Sequence, residues 1–157
     1  MKKFIKELIP YIVIILSVVL IRTFVATPVR VDGKSMDPTL SNNEILMLNK
    51  FDKTYKRFDI IVFNYNSSKL VKRIIGLPGD KIEYIDDKLY INGEEIKEPY
   101  KRKKMDNYTS DVVPNNMYFV MGDNRGNSLD SRYIGSIRKE DIEGTVKLSI
   151  LPPKILK

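Results

Sequence analysis

The stretch VDGKSMDPTL at residues 31–40 sets a hydroxyl, Ser35, between Lys34 and Met36, just ahead of Asp37-Pro38. Ser, Gly, Asp and Pro are ordinary turn material, each for a backbone reason. The alternative is a nucleophile, which requires an activating base within hydrogen-bond reach. Composition restricts that base sharply. The 157 residues contain no His and no Cys. A Ser-His-Asp triad, a Cys-His dyad and any His- or Cys-ligated zinc site are therefore excluded. Only a Lys, a carboxylate or the chain amine is left to activate Ser35.

A candidate base lies in LVKRIIG, residues 70–76. Read as a strand, this run puts Lys72 on one face with Leu70 and Ile74, and Arg73 on the other with Val71 and Ile75. Lys72 is then either a solvent-facing residue of a half-exposed strand or a lysine held against apolar surface. The difference matters chemically. A free lysine of pKa ~10.4 is neutral about once in 2,500 molecules near pH 7, and burial, by disfavouring the ammonium, raises that fraction.

A third polar segment, GDNRGNSLDSRYIG at residues 122–135, carries carboxylates, amides, hydroxyls and two arginines. Its likeness to a calcium loop fails at Arg125, where a ligand oxygen is needed. Either it is a plain polar loop or it supports a site, with Asp130 and Arg132 pairing and Ser128 free to donate or accept. The run Ser136-Ile137-Arg138-Lys139 matches S-x-x-K of the penicillin-binding enzymes, but neither S-D-N nor K-T-G accompanies it. No metal and no cofactor are expected.

The elements that must position these residues read as strands. EILMLNK, DIIVFNY, KLVKRIIG, KIEYID, KLYIN, MYFVMGD and TVKLSIL are short, β-rich and bounded by turn residues. Asp86-Asp87 and Asn92-Gly93 predict hairpin turns, and LPGD at 77–80 a turn after the third long strand. The Pro-rich end, LPPKILK, reads as a tail. The expected fold is mainly β, an antiparallel domain over residues 28–157.

Ahead of it, Lys2, Lys3 and Lys6 precede an uncharged run over residues 8–21. Fourteen helical residues span about 21 Å, short of the ~30 Å hydrocarbon core. Extension through Thr23, Phe24, Val25 and Ala26, with Arg22 snorkelling, restores the length. Pro10 falls in the first turn, where its missing N–H costs least. Residues 1–27 are thus expected to be a cytoplasmic N-terminus and transmembrane helix, oriented by the leading lysines. A cleavable secretion signal competes, but cutting after Ala26 would put Phe24 where a small residue belongs, and cutting after Thr27 is followed by Pro28. A buried soluble helix is disfavoured by the unbroken apolar circumference.

The formal charge is +7, of which residues 28–157 carry +4. Only KRKK at 101–104 concentrates it, as a solvated loop or a point of attraction to anionic lipid. No aromatic-interleaved basic helix accompanies it, so no nucleic-acid partner is expected.

GKSMDPTL, VKRIIGLPGD and GDNRGNSLDSRYIG, in this order behind an N-terminal anchor, resemble the three boxes of the bacterial type I signal peptidases, the leader peptidases. The resemblance runs from about Thr27 to about Gly135. It implies a serine endopeptidase of the cytoplasmic membrane, single-pass, with its β catalytic domain on the extracytoplasmic side, cleaving signal peptides of exported preproteins after small residues. It further implies Ser35 as nucleophile, Lys72 as general base and the Ser35 N–H as oxyanion donor. Ser128 is implied to hydrogen-bond and orient Lys72, Asp130 and Arg132 to hold the local structure, Arg73 to be structural, and Met36 to pack near substrate or lipid. Three departures stand out. Gly33 replaces a Ser that assists the oxyanion in some relatives, Gly126 stands where many carry Asp, and the short span between the second and third boxes predicts a reduced accessory β subdomain. The eukaryotic-type enzymes use His and are excluded; the self-cleaving SOS repressors share the dyad but lack an anchor. A catalytically silent module that binds exported peptides is the remaining alternative. The sequence sets no oligomeric state.

Overall fold

Strand β3 (Ile60–Tyr65) begins with four consecutive buried residues. A half-solvated strand alternates between buried and exposed, so such a run requires both faces of its sheet to be covered. In the computed structural model, which describes residues 2–20, 26–100 and 102–156, they are. Ile60 and Val62 pack with Met36, Leu40, Leu46, Leu48 and Val146, whereas Ile61 and Phe63 pack with Ile74, Tyr118, Val120, Ile137 and Ile142.

The other elements are α1 (Lys2–Leu20), β1 (Ala26–Arg30), β2 (Ile45–Asn49), β4 (Ser68–Gly76), β5 (Ile82–Ile85), β6 (Lys88–Ile91), β7 (Glu94–Ile96), β8 (Tyr108–Thr109), β9 (Met117–Met121), α2 (Ser131–Ile134), β10 (Ile137–Arg138), β11 (Ile142–Leu151) and β12 (Lys154–Ile155). The large sheet has the order β1-β2-β11-β3-β4-β9-β10, with β12 added on β11, and a second sheet has the order β7-β6-β5-β8. Every described pairing is antiparallel. The two sheets meet in a third apolar cluster, where Ile75, Phe119 and Met121 contact Ile82, Tyr84, Leu89 and Ile91. All seven expected strands are present. The mainly antiparallel β fold is as the residue patterns predict.

Turn chemistry explains the second sheet's hairpins. Asp86-Asp87 and Asn92-Gly93 all have positive φ, from 50 to 86°, as a two-residue turn matching the strand twist demands. At the 77–80 turn, Gly79 has φ +88° and the Asp80 carboxylate accepts from Leu77 N at 2.6 Å.

Four expectations need correction. The LPPKILK segment is not a free tail, because Lys154 and Ile155 pair with Ser149 and Leu148 of β11. Lys154 also reaches Glu44, burying that carboxylate against the sheet. The expected helical continuation past residue 20 lies outside the described residues at 21–25, and Ala26, expected at its end, is instead the first residue of β1 opposite Asn49. Finally, Pro10 lies eight residues after the start of α1, inside the helix and not in its first turn. Among the described residues no helix is long and apolar enough to cross a membrane. α1 has 19 residues, and its apolar side chains, including Tyr11, Ile14, Ile15 and Val18, are exposed.

Gly144, in β11, faces the Asn49 backbone so closely that a methyl group would collide with the carbonyl oxygen. Backbone cannot move aside as a flexible side chain can. Gly144→Ala is expected to destabilise the domain by about 1–3 kcal/mol, read as a lowered midpoint of denaturant unfolding.

Candidate active site

The turn that carries Ser35 is built by its own backbone and then pinned by apolar neighbours. Asp37 N donates to Lys34 O at 3.2 Å, and Thr39 N and Leu40 N donate to Met36 O at 2.8 and 3.0 Å. Met36 and Leu40 are fully buried beside Leu46, Leu48 and Ile60. Each buried side chain of this size contributes about 1.5–3 kcal/mol, enough to fix the turn on the sheet. Met36 is thus a core anchor of the turn. Its apolar neighbours leave it 1 % exposed. Gly33 precedes the turn with φ +96°, where a side chain would be strained, and its N–H is taken by Asn42 Oδ1 at 2.8 Å.

Lys72 comes from the middle of β4. It lies opposite Ile61 of β3, while the β9 pairing starts one residue later, at Arg73. Its side chain is 2 % exposed. The Nζ lies 2.8 Å from Ser35 Oγ and donates to the Val71 carbonyl at 3.0 Å. Burial brings the Lys72 pKa down to about 8, against the opposing pull of the Asp130 carboxylate. Withdrawal from water penalises the ammonium more than one nearby anion restores it. At pH 7 roughly one such lysine in ten is neutral, several hundredfold more than in water.

The third segment joins these two. Asn124 N donates to Ser35 O at 2.9 Å and Asn124 Nδ2 to Lys34 O at 3.0 Å, so one residue holds the carbonyls on both sides of the nucleophile's own peptide. Asp123 accepts from Arg73 Nε and NH2 at 2.9 and 2.7 Å with both side chains fully buried, and it also accepts from Thr39 Oγ1. Arg73 NH1 reaches Phe58 O, and its guanidinium lies 3.7 Å from the centre of the Tyr100 ring. Asp130 caps α2, accepts from Gly122 N at 3.0 Å and holds Arg132 through two nitrogens at 2.8 and 2.9 Å. Arg125, buried, ties the segment to the second sheet through Glu98 at 2.6 Å and the Tyr84 hydroxyl at 2.5 Å.

Ser128 lies at this junction, where a Cβ on Gly122 would collide with both its Oγ and the Ser35 carbonyl oxygen. The expected hydrogen bond from Ser128 to Lys72 is not formed. Ser128 Oγ is buried and has no hydrogen-bond partner among the described residues, since Lys72 Nζ turns to Ser35 and the Val71 carbonyl instead. Among the described residues no group of three or more carboxylates could hold a metal ion.

The structure therefore brings Ser35, Lys72, Arg73, Ser128, Asp130 and Arg132 into one region, with Met36 beneath it. Residue reasoning missed Asp123, Asn124 and Thr39. Their only sequence signal is adjacency, Asp123 and Asn124 within the third polar segment and Thr39 four residues after Ser35. Chemically, the site can move a proton between a hydroxyl and an amine in a partly dehydrated setting.

Comparison with known proteins gives concordant likenesses. The family described as "Signal peptidase, peptidase S26" matches residues 1–151. Signal peptidase I S of Bacillus subtilis (strain 168) is 46% identical over 157 residues, covering 90% of this chain and 85% of that protein. Signal peptidase I of Bacillus amyloliquefaciens is 44% identical over 156 residues, covering 90% and 84%. The crystal structure of a signal peptidase I from Enterococcus faecalis V583 is similar with a TM-score of 0.54 and 40% identity, covering 59% of this chain and 96% of that one.

Asp123 is the partner on which the buried Arg73 depends. Asp123→Ala is expected to cost about 3–5 kcal/mol by stranding a buried guanidinium, measured by unfolding of the variant beside wild type. The isosteric Asp123→Asn retains the shape and hydrogen-bond acceptance and is expected to lose less.

Proposed function

This chain belongs to the signal peptidase family, peptidase S26, and on that premise we propose that it is a membrane-bound serine endopeptidase that removes N-terminal signal peptides from exported preproteins with a Ser35-Lys72 dyad. The serine endopeptidase activity follows from the family and its named relatives. The observation that carries the dyad is the 2.8 Å approach of Lys72 Nζ to Ser35 Oγ at a lysine whose burial brings its pKa to about 8. In a chain without His or Cys, a buried lysine beside the hydroxyl is a means of activating it near neutral pH.

Neutral Lys72 accepts the Ser35 proton as Oγ attacks the scissile carbonyl. The Ser35 N–H, which donates to no acceptor among the described residues, is free to stabilise the oxyanion. Collapse breaks the peptide bond, and the Lys72 ammonium returns its proton to the leaving amine, the new N-terminus of the mature protein. The acyl-enzyme then holds the signal peptide on Ser35 until water, deprotonated by the same Lys72, releases it. Gly33 supplies no hydroxyl to the oxyanion, so the backbone donor carries that role in this reading. Arg73, Asp130 and Arg132 hold the frame, and Ser128 is a neighbour of the dyad whose hydroxyl is available to the lysine when Nζ leaves Ser35.

Residues 1–27 are proposed as the cytoplasmic N-terminus and anchor in the cytoplasmic membrane. The basic start, the uncharged run and the exposed apolar side chains of α1 support it. Residues 28–157 are then the extracytoplasmic catalytic domain, with β1 starting two residues ahead of that boundary.

Incubating the detergent-solubilised chain with a preprotein carrying an Ala-x-Ala site, and weighing the products, tests the reaction. Wild type is expected to cut once, after that site, while Ser35→Ala and Lys72→Ala each lose about 10²- to 10⁴-fold or more in rate and stay folded. Equal cutting by Lys72→Ala would remove Lys72 as base. The pH profile follows from the lowered lysine pKa: the active species is the neutral amine, so kcat/KM rises with pH through about 8 and levels above it. A flat profile across that range contradicts the assignment.

A further inference from the structure

A groove of about 700 Å³ opens beside the nucleophile turn, between Pro38 and the β6–β7 hairpin. Leu89, Ile96 and Tyr100 give it an apolar lining, and its rim carries Lys88, Glu95, Lys97 and Arg102. We propose that this groove is the subsite for the second and third residues of the mature protein, and that Lys97 there favours an acidic side chain. The inference rests on the signal-peptidase reading of the Ser35-Lys72 pair.

Direction comes from the sheet. On the side of β4 away from β3, pairing with β9 begins at Arg73, so among the described residues the β4 edge over residues 68–72 has no strand partner there. A substrate segment adding to that edge brings its scissile bond to Ser35, and the remaining chain leaves across the nucleophile turn. Distance fits as well. Ser35 and Pro38 belong to one turn, in which residues three apart have Cα atoms within about 7 Å, and extended peptide advances about 3.3–3.6 Å per residue. Two residues beyond the cut therefore reach Pro38 and the mouth of the groove.

Charge identifies what the groove prefers. Lys88 pairs with Glu95, and Arg102 pairs with both Asp87 and Glu98. Lys97 is exposed and has no ion-pair partner among the described residues. It is the rim cation left for a ligand carboxylate. Lys103, which follows Arg102 in the chain, bridges to Asp37 at 3.1 Å and is already engaged.

The test uses the full chain in detergent with three preproteins identical except at the second and third mature positions, which are Glu-Glu, Lys-Lys or Ser-Ser. Wild type is expected to cut the acidic substrate with a kcat/KM roughly two- to fivefold above the basic one, the Ser-Ser substrate falling between. Lys97→Glu reverses that order and Lys97→Gln flattens it, an inversion that loss of structure cannot produce. Equal cutting of all three substrates by wild type, or an acid preference unchanged in both variants, overturns the subsite while leaving the peptidase intact. Failure of wild type to cut even the Ser-Ser substrate overturns the peptidase reading itself, and the subsite with it.

Discussion

Lys72 must keep its amine out of water and still within reach of a hydroxyl, and much of the structure can be derived from that requirement. A lysine drawn down to about 8 from its usual 10.5 has had its ammonium form destabilised by about 3 kcal/mol relative to solvent. The folded domain bears this cost below pH 8, where the group is protonated in both states. It is relieved as pH rises from about 8 towards the pKa of the unfolded chain, because the unfolded state then binds more protons than the folded one. A sheet with both faces covered can bear such a cost. A half-solvated sheet would let the amine find water and return to its ordinary value.

The polar third segment divides its work among neighbouring residues. Asn124 fixes the nucleophile's backbone, Asp123 neutralises the arginine next to the base, and Asp130 organises the chain between them while opposing part of the Lys72 desolvation. Buried charges are tolerated here because each is paired and hydrogen-bonded. Arg125 extends the same logic outward, holding Glu98 and the Tyr84 hydroxyl of the second sheet. That sheet, small as the short span between boxes predicts, therefore braces the site through Arg125, and the loop after β7 adds Tyr100 against Arg73.

The strands at both ends of the domain are tied into this arrangement. β1 pairs along its whole length with β2. At the other end, Lys154 donates to the Thr39 carbonyl and pairs with Glu44, fastening the last strand to the nucleophile turn.

The strands β2 to β6, β9 and β11, both type-matched hairpin turns and the exclusion of His and Cys chemistry were legible in the residues, because alternation, β-branching and the demand for positive φ act within a few positions. The three boxes also marked Ser35 and Lys72. Their resemblance to a family implied the pairing, but no local rule did, since 37 residues separate the two. Short or irregular pairings were missed where pattern is weakest: β1, interrupted by Pro28, the two-residue β12 behind two prolines, and β7 with two exposed glutamates. Whether Lys72 faces solvent or core, how deeply Met36 is buried, and which carboxylate meets Arg73 were decided only by the tertiary structure. Burial and charge pairing depend on what the rest of the chain brings from far away in sequence, and a residue's own neighbours carry no record of it.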